Sequence, residues 1–589
     1  MKSPAKAIKI TVFMMMIIVF CFLKPSTCIS QIATTTVNTG TVIMPNPKLL
    51  LGITYDCRSS LSITGYGLAG YHNTNGTFIP AVDSLFHDFP MSTLRYPANG
   101  IVTGFEWKKS IGPIANRPPQ QVFPQPSTPA QVMEFGFDEF MSMTAARGVD
   151  PREVQIMVPI YDTADIGLTT MQMSGAVPNV ISSNADWVEY ANALNDGANP
   201  GGGTDWAAVR AANGHPEPYG IEIWNMGNEP YVVNEYGIGG VNNYINKILP
   251  IMDAMLAIDS TIKISVTITG RFNSMWSNTI LNNIPLQSRM YATNIHAFMT
   301  EELINGSLLF GVDTIEAALI GQAAAAQMKG YKLLVGDYAH AILGTNPAPA
   351  TQDLAMQWQG AHLAADFLLT MSQISNIERS NFWVYGLSSN VWHPIRRNAD
   401  GTFTSMPVAE LYKKLNPLFL DNSVAVTNTS PPASDGNAYA VRCGAFASGD
   451  LSELNVIAVN RDKNNAVPLQ VNGVAGYALS SAKLLTATAL NADVFSETVV
   501  TADANGNYVL PAMSVLILEY HCTFTPVISG SQDVCATDIY TYSVPDIAGS
   551  TYVWTVSGGT IISGQGTHQI TVQWNDEAAG TVDVVQTMP

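Results

Sequence analysis

The sequence predicts an α/β protein: a (β/α)8 TIM barrel, then an all-β sandwich, then a further small β module. Three observations predict it. Between residues 50 and 416 short apolar runs of strand length alternate with segments of helical period. From about residue 417 the helical period stops, and short Val/Leu/Ala strands are split by Asn, Gly and Asp turns. The 589 residues also exceed what one ordinary domain holds, so several domains are expected.

The barrel strands are read at 50–54, 93–96, 154–159, 221–226, 262–268, 292–296, 332–336 and 381–385. They are continuous apolar runs rather than alternations, as strands covered on both faces are. Between them, 134–147 places Phe137, Phe140, Met141 and Ala145 on one stripe, and 241–258, 314–328 and 352–372 repeat that period. Eight strand–helix units with right-handed crossovers close most economically into a barrel spanning 50–416, with 408–415 as its last helix. The sandwich takes 417–521, with strands such as 454–460 and 514–519. The last module, 522–589, alternates at 540–544, 551–556, 560–562 and 570–574 between glycine turns. Residues 31–49 read as a linker.

Residues 1–30 read as a signal peptide of bacterial type. Lys2, Lys6 and Lys9 precede an apolar run, 10–23, that is too short to span a bilayer. Cys28-Ile29-Ser30 then offers a small residue for cleavage before Gln31. Lys24-Pro25-Ser26-Thr27 is a poor lipobox, so plain secretion is expected. No later stretch is long and apolar enough to insert in a membrane. Of six cysteines, two lie in the leader, leaving Cys57, Cys443, Cys522 and Cys535. There is no C-x-x-C pair for structural zinc. Cys522 and Cys535 either close a short loop in an oxidising compartment or stay two buried thiols.

An excess of 46 acidic over 28 basic residues gives a net charge of −18, which excludes nucleic acid and anionic membrane surfaces as partners. With 13% charged and 47% hydrophobic residues the chain buries a large core and is not disordered. Gly65-Tyr66-Gly67-Leu68-Ala69-Gly70 fits the dinucleotide fingerprint, but a turn sequence follows it rather than a helix, so it reads as a barrel loop. The nine histidines show no metal-ligand spacing, so neither metal nor cofactor is expected.

The chemistry concentrates at Asn228-Glu229-Pro230, which closes the fourth barrel strand. Side chains at the carboxyl ends of barrel strands enter the mouth where such folds do chemistry. Glycoside hydrolysis needs one carboxyl as proton donor and a second as nucleophile or base. Glu229 fits the donor, and Asn228 fits a partner of the sugar 2-hydroxyl.

Leu94-Arg95-Tyr96-Pro97, Gly104-Phe105-Glu106-Trp107 with Gly112-Pro113 and Arg117-Pro118, and the helix beginning Glu134-Phe135-Gly136-Phe137 resemble family 51 glycoside hydrolases. Asp186-Trp187-Val188-Glu189-Tyr190 and the Arg210–Tyr219 stretch extend the likeness into the Asn-Glu strand. That family comprises α-L-arabinofuranosidases built as a (β/α)8 barrel plus a β-sandwich. The final module resembles the immunoglobulin-like PKD module of secreted bacterial enzymes. The resemblance implies Glu229 as general acid/base and Asn228 as its neighbour in the sugar subsite. It implies His296, ending the sixth strand, as a substrate-site residue, with Trp107, Arg95 and Tyr338 around the same mouth. Trp107 is expected to stack on a sugar, and Arg95 to bind there or orient a carboxylate.

The family's nucleophile is a glutamate ending the seventh strand. Here Asp337 aligns with it, and its side chain is one methylene, or about 1.5 Å, shorter. Three outcomes stay open: the backbone advances to restore retention, a water fills the gap, or the site is nearly silent. Pro97-Ala98-Asn99 is a second departure, where two glycines are common. The expected function is a secreted, retaining α-L-arabinofuranosidase acting on plant cell-wall polysaccharide or oligosaccharide such as arabinoxylan or arabinan. One alternative is an endo-acting β-1,4-glucanase or xylanase of the same clan, with loops 199–204 and 339–350 deciding between pocket and cleft. The other, from a different class, is a non-catalytic glycan-binding or adhesion protein. No sequence feature points to a particular oligomeric state.

Overall fold

The computed structural model describes residues 31–587 apart from 56–74, 98–103, 121–129, 131, 166–175, 232–239, 271–273, 300–307, 341–352, 386–393, 435–438, 524–526, 547–549 and 576–578. The leader, the glycine-rich stretch 65–70, Cys57, Ala98-Asn99 and most of loop 339–350 lie outside the described residues.

Eight parallel strands close into a barrel: β2 (Gly52–Tyr55), β3 (Leu94–Tyr96), β4 (Val154–Val158), β5 (Ile223–Met226), β6 (Lys263–Thr267), β7 (Met290–Met299), β8 (Lys332–His340) and β9 (Ile377–Tyr385). All eight expected strands are present. The helices on the outside are α1 (Pro80–Phe86), α2 (Phe137–Ala146), α3 (Val180–Asn192), α4 (Trp206–Ala212), α5 (Gly240–Ile258), α6 (Met275–Leu281), α7 (Ile284–Gln287), α8 (Leu308–Gln327), α9 (Trp358–Ser372) and α10 (Pro407–Leu415). Leu94, Ile156, Trp224, Val266 and Val335 of the strands are wholly buried, and they belong to one core with the helices' apolar faces. The barrel also carries a buried polar layer. Gln155 donates to Thr93 at 3.0 Å and to Asn381 at 2.7 Å, and Ser265 donates to Asn225 at 2.6 Å. Buried polar groups persist in a core only when paired in this way.

A hairpin, β10 (Ile395–Arg397) with β11 (Phe403–Ser405), precedes α10. The sandwich is one curled nine-stranded sheet. It contains β1 (Ala33–Pro45), β12 (Asn422–Thr429), β13 (Val441–Ala447), β14 (Glu453–Asn460), β15 (Val467–Asn472), β16 (Tyr477–Thr486), β17 (Ser496–Val499), β18 (Asn507–Leu510) and β19 (Val515–Cys522). The presence of β1 corrects the reading of 31–49 as a linker. Thr34 to Asn38 pair antiparallel with β12, and Ala33 to Thr36 pair parallel with β15. This strand buries Ala33, Thr35, Val37 and Met44 and turns polar residues outward.

The central strands are apolar on both faces because each face meets a different core. On β14, Leu454, Val456 and Ala458 face the sandwich interior, while Ile457 and Val459 join the barrel core. On β19, Leu516 and Leu518 divide from Val515 and Ile517 in the same way. The seam also carries ions. Asp366 of α9 accepts from Arg442 Nε at 2.6 Å and from Arg461 Nε at 2.9 Å, both from the sandwich, and Arg442 also binds Glu316 of α8.

The last module has β20 (Ile539–Ser543), β22 (Gly559–Ser563) and β23 (Gln569–Trp574) in one sheet and β21 (Thr551–Ser557) with β24 (Thr581–Thr587) in another. Its separate core includes Tyr542, Tyr552, Trp554, Ile570, Val572 and Trp574. Cys443, Cys522 and Cys535 are free thiols. Cys522 and Cys535 therefore close no loop, and with Cys535 exposed and Cys522 half-buried they are not two buried thiols either.

Candidate active site

β5 stops at Met226, whose carbonyl accepts a hydrogen bond from Tyr244 of α5 at 2.8 Å. Gly227 then takes φ +71° and Glu229 φ +30°, a left-handed backbone that a residue with a Cβ adopts only when its surroundings impose it. Pro230 prevents the strand from resuming. The turn brings the Glu229 carboxyl against His296 on β7, with Oε1 2.7 Å from Nδ1.

Asp337 reaches the same ring from the other side. Along β7 and β8, Ile295 pairs with Val335 and His296 with Asp337, so Gly336 is an extra residue. Such a bulge re-aims the side chain that follows it. Glycine is required there: the Gly336 N–H donates to Asn294 Oδ1 at 2.9 Å, and a Cβ at 336 would sit 2.3 Å from that oxygen. Asp337 is buried, and its oxygens are held by three groups. Thr54 donates its hydroxyl to Oδ1, Arg95 Nη1 donates to Oδ2 at 2.7 Å, and His296 Nε2 lies 3.4 Å from Oδ2. His296 therefore stands between the two carboxyl groups, one at each ring nitrogen.

Burial pushes the Glu229 carboxyl up to about 7, against an opposing pull from Arg95. Burial likewise lowers His296 to about 4; Asp337 opposes that shift and Arg95 adds to it. The ring is neutral at pH 7, so its tautomer follows Glu229. When Glu229 is protonated its O–H donates to Nδ1 and Nε2–H faces Asp337. When it is ionised Nδ1–H donates to it, and Nε2 accepts from Arg95 Nη2 at 3.3 Å.

Glu229, His296, Arg95 and Asp337 thus converge. Asn228 is buried beside Glu229, and its Oδ1 has no hydrogen-bond partner among the described residues. Two expectations fail. Trp107 is not at the mouth: its ring lies stacked on Trp187 at 5.7 Å and edge-on to Trp206, and Nε1 donates to the Ser183 carbonyl at 2.9 Å. It fastens the loop after β3 to α3. Tyr338 follows Asp337 on an extended strand and so points outward, against Phe367 of α9, with its hydroxyl on Tyr412 of α10. Loop 199–204 also lies elsewhere. Gly201 packs beside Glu189 and Ile258, at the ends of helices that lead into strand amino ends.

Three site residues carried no sequence motif. Thr54 is a lone hydroxyl ending β2. Phe298 and Trp383 meet edge to face at 6.4 Å beyond His296, on β7 and β9. Polar or aromatic residues at the ends of apolar strands are the one signal that marks them. A cavity of about 720 Å³ opens beside Glu229 and His296, lined further by Phe298, Thr269, Ile315 and Leu319. Among the described residues no group of three His, Cys, Asp or Glu side chains is placed to hold a metal ion, and no helix is long and apolar enough to cross a membrane.

Residues 85–306 match the family described as "Alpha-L-arabinofuranosidase 1 domain", and residues 523–588 match a PKD-like domain. Among curated proteins the chain is 27% identical over 171 residues to a probable α-L-arabinofuranosidase C of Aspergillus clavatus, covering 29% of this chain and 28% of that one. It is 28% identical over 148 residues to an intracellular exo-α-(1→5)-L-arabinofuranosidase of Bacillus subtilis, covering 25% and 24%. The aligned segments thus span about a quarter of those relatives' length. In fold the chain is similar to a family 51 α-L-arabinofuranosidase from Bifidobacterium longum, with TM-score 0.66 and 18% identity over 83% of this chain and 99% of that one. The arabinose complex of the Thermotoga maritima α-L-arabinofuranosidase gives TM-score 0.66 at 19% identity with the same coverage. Of the convergent residues, Arg95, Asn228, Glu229 and His296 lie inside the stretch that matches the α-L-arabinofuranosidase domain, Thr54 and Asp337 lie outside it, and the PKD-like match follows further along the chain.

Proposed function

We propose that the protein is a secreted, retaining α-L-arabinofuranosidase that removes terminal arabinofuranosyl groups from plant cell-wall polysaccharide. The observation that carries this reading is the pair of carboxyls at opposite nitrogens of His296, one of them raised to about 7 by burial. Such a pair supplies the proton donor and the nucleophile between which glycoside hydrolysis divides its labour.

Glu229, protonated in the free enzyme, gives its proton to the departing glycosidic oxygen while Asp337 attacks the anomeric carbon. Arg95 and Thr54 fix the attacking carboxylate, so little reorganisation is needed on reaction. Glu229, now ionised, takes a proton from water, which releases the sugar from Asp337. His296 accommodates both states by exchanging its tautomer. The unpartnered Asn228 Oδ1 is an acceptor for a sugar hydroxyl. Export follows from the leader at 1–30, and sequencing of the exported protein should begin at Gln31.

Replacing Glu229 by Ala tests the reading. Hydrolysis of arabinofuranosides with poor leaving groups is expected to fall 100-fold or more, on the order of what a positioned acid contributes, and azide should restore turnover as the arabinofuranosyl azide. Unchanged rates, or no effect of azide, remove Glu229 from that role. A protein that binds arabino-oligosaccharide by calorimetry and never cleaves it would instead be a glycan-binding scaffold.

A further inference from the structure

The cavity beside the acid has a composition of its own. It runs from Glu229 and His296 along the ends of β6 and β7 to α8, and Asp337 is not among its walls. Its surface is largely Ile295, Ala297, Phe298, Ile315, Ala318 and Leu319. Besides Glu229 and His296 its polar side chains are Tyr231, Thr269 and Thr314, and the Thr269 hydroxyl is shared with Ser274 at 2.7 Å and Ser277 at 3.2 Å. The Thr269 carbonyl accepts from Gln322 at 3.1 Å. The α8 wall is held in place from behind, because Glu316 and Asp313 bind Arg442 and Arg461 of the sandwich.

We propose that this cavity is the leaving-group subsite and that it selects aglycones presenting an apolar face, whether alkyl, aryl or the C–H face of a sugar ring, over those presenting only hydroxyls. The inference rests on Glu229 being the acid: the atom that receives its proton belongs to the leaving group, so that group lies on the Glu229 side of His296. A wall of Ile, Leu, Ala and Phe rewards burial of carbon, whether of an alkyl or aryl group or of the C–H face of a sugar. The volume of about 720 Å³ suits a group of drug-like size.

Methyl and hexyl α-L-arabinofuranosides separate this from ordinary acid catalysis, because the two alcohols leave about equally poorly. Each fully buried methylene is worth about a fourfold change. The expected result is at least a tenfold higher kcat/KM for the hexyl glycoside, with the ratio falling toward one in Ala318→Trp, whose indole fills the cavity. Equal or falling rates along a methyl-to-hexyl series in the wild-type protein overturn the proposal, and that series needs no variant to fold. If neither glycoside is cleaved, the arabinofuranosidase reading fails and the subsite is judged by titration calorimetry of the same two glycosides. Tighter hexyl binding then sustains it, and equal or absent binding ends it.

Discussion

Asp337 is a methylene shorter than the glutamate the resemblance implies at this place, yet it is not stranded. Thr54, Arg95 and His296 meet its two oxygens, and the Gly336 bulge re-aims it toward the ring that Glu229 touches. The two acids therefore share one imidazole, and burial pushes the Glu229 carboxyl up to about 7. Activity needs that proton in place, so kcat/KM on unactivated glycosides should fall as pH rises through about 7. In Glu229→Gln the basic limb should vanish together with most of the activity. A pH–rate profile for both proteins checks this; a limb that persists in the variant belongs to another group. His296→Asn removes the group between the acids, and its effect belongs to positioning, so it should move the basic limb as well as lower kcat.

The barrel strands were legible as elements because each is a continuous apolar run, the pattern of a sheet covered on both faces. The first sandwich strand was not. ATTTVNTGTVIMP is rich in Thr and Asn, and only Ala33, Thr35, Val37 and Met44 among its residues are buried, so by composition it reads as linker. Glu229 could be found from Asn-Glu-Pro at a strand end, but Trp107 and Tyr338 were misplaced. Sequence adjacency to site residues does not say which face of a strand or loop a ring takes. The bulge in β8 was equally invisible, since it depends on the register against β7. It makes a prediction at this scale. Gly336→Ala sets a Cβ 2.3 Å from Asn294 Oδ1, so either the amide or the bulge must move, and Asp337 with it. A displacement near 1 Å costs on the order of 100-fold in kcat, and overpacking costs about 1–3 kcal/mol of stability. Steady-state kinetics beside urea unfolding will separate the two effects. A kcat within twofold of wild type means the bulge does not aim the carboxyl.

Barrel and sandwich share one core, with Phe446, Ile457, Val459, Val515 and Ile517 of the sandwich sheet counted among the barrel's buried residues. β1 enters that sheet before the chain begins the barrel, so neither part is complete without the other. Burial alone raises Asp366, but Arg461 and Arg442 outweigh it and hold the carboxyl below its usual range. Asp366→Ala strands two buried guanidinium groups and should destabilise the protein by about 3–5 kcal/mol. Calorimetry should show barrel and sandwich melting in one transition that moves down as a unit; a sandwich that melts alone would show the seam to be dispensable. The module after residue 522, with its own core, is outside that unit. What this whole frame is proposed to serve is attack by Asp337 on a furanose held under Glu229, and trapping tests it most directly. A 2-fluoro arabinofuranoside with an activated leaving group should inactivate the enzyme and add one glycosyl mass to the peptide containing Asp337. A label on any other residue, or release of sugar with inverted anomeric configuration by NMR, would contradict the account.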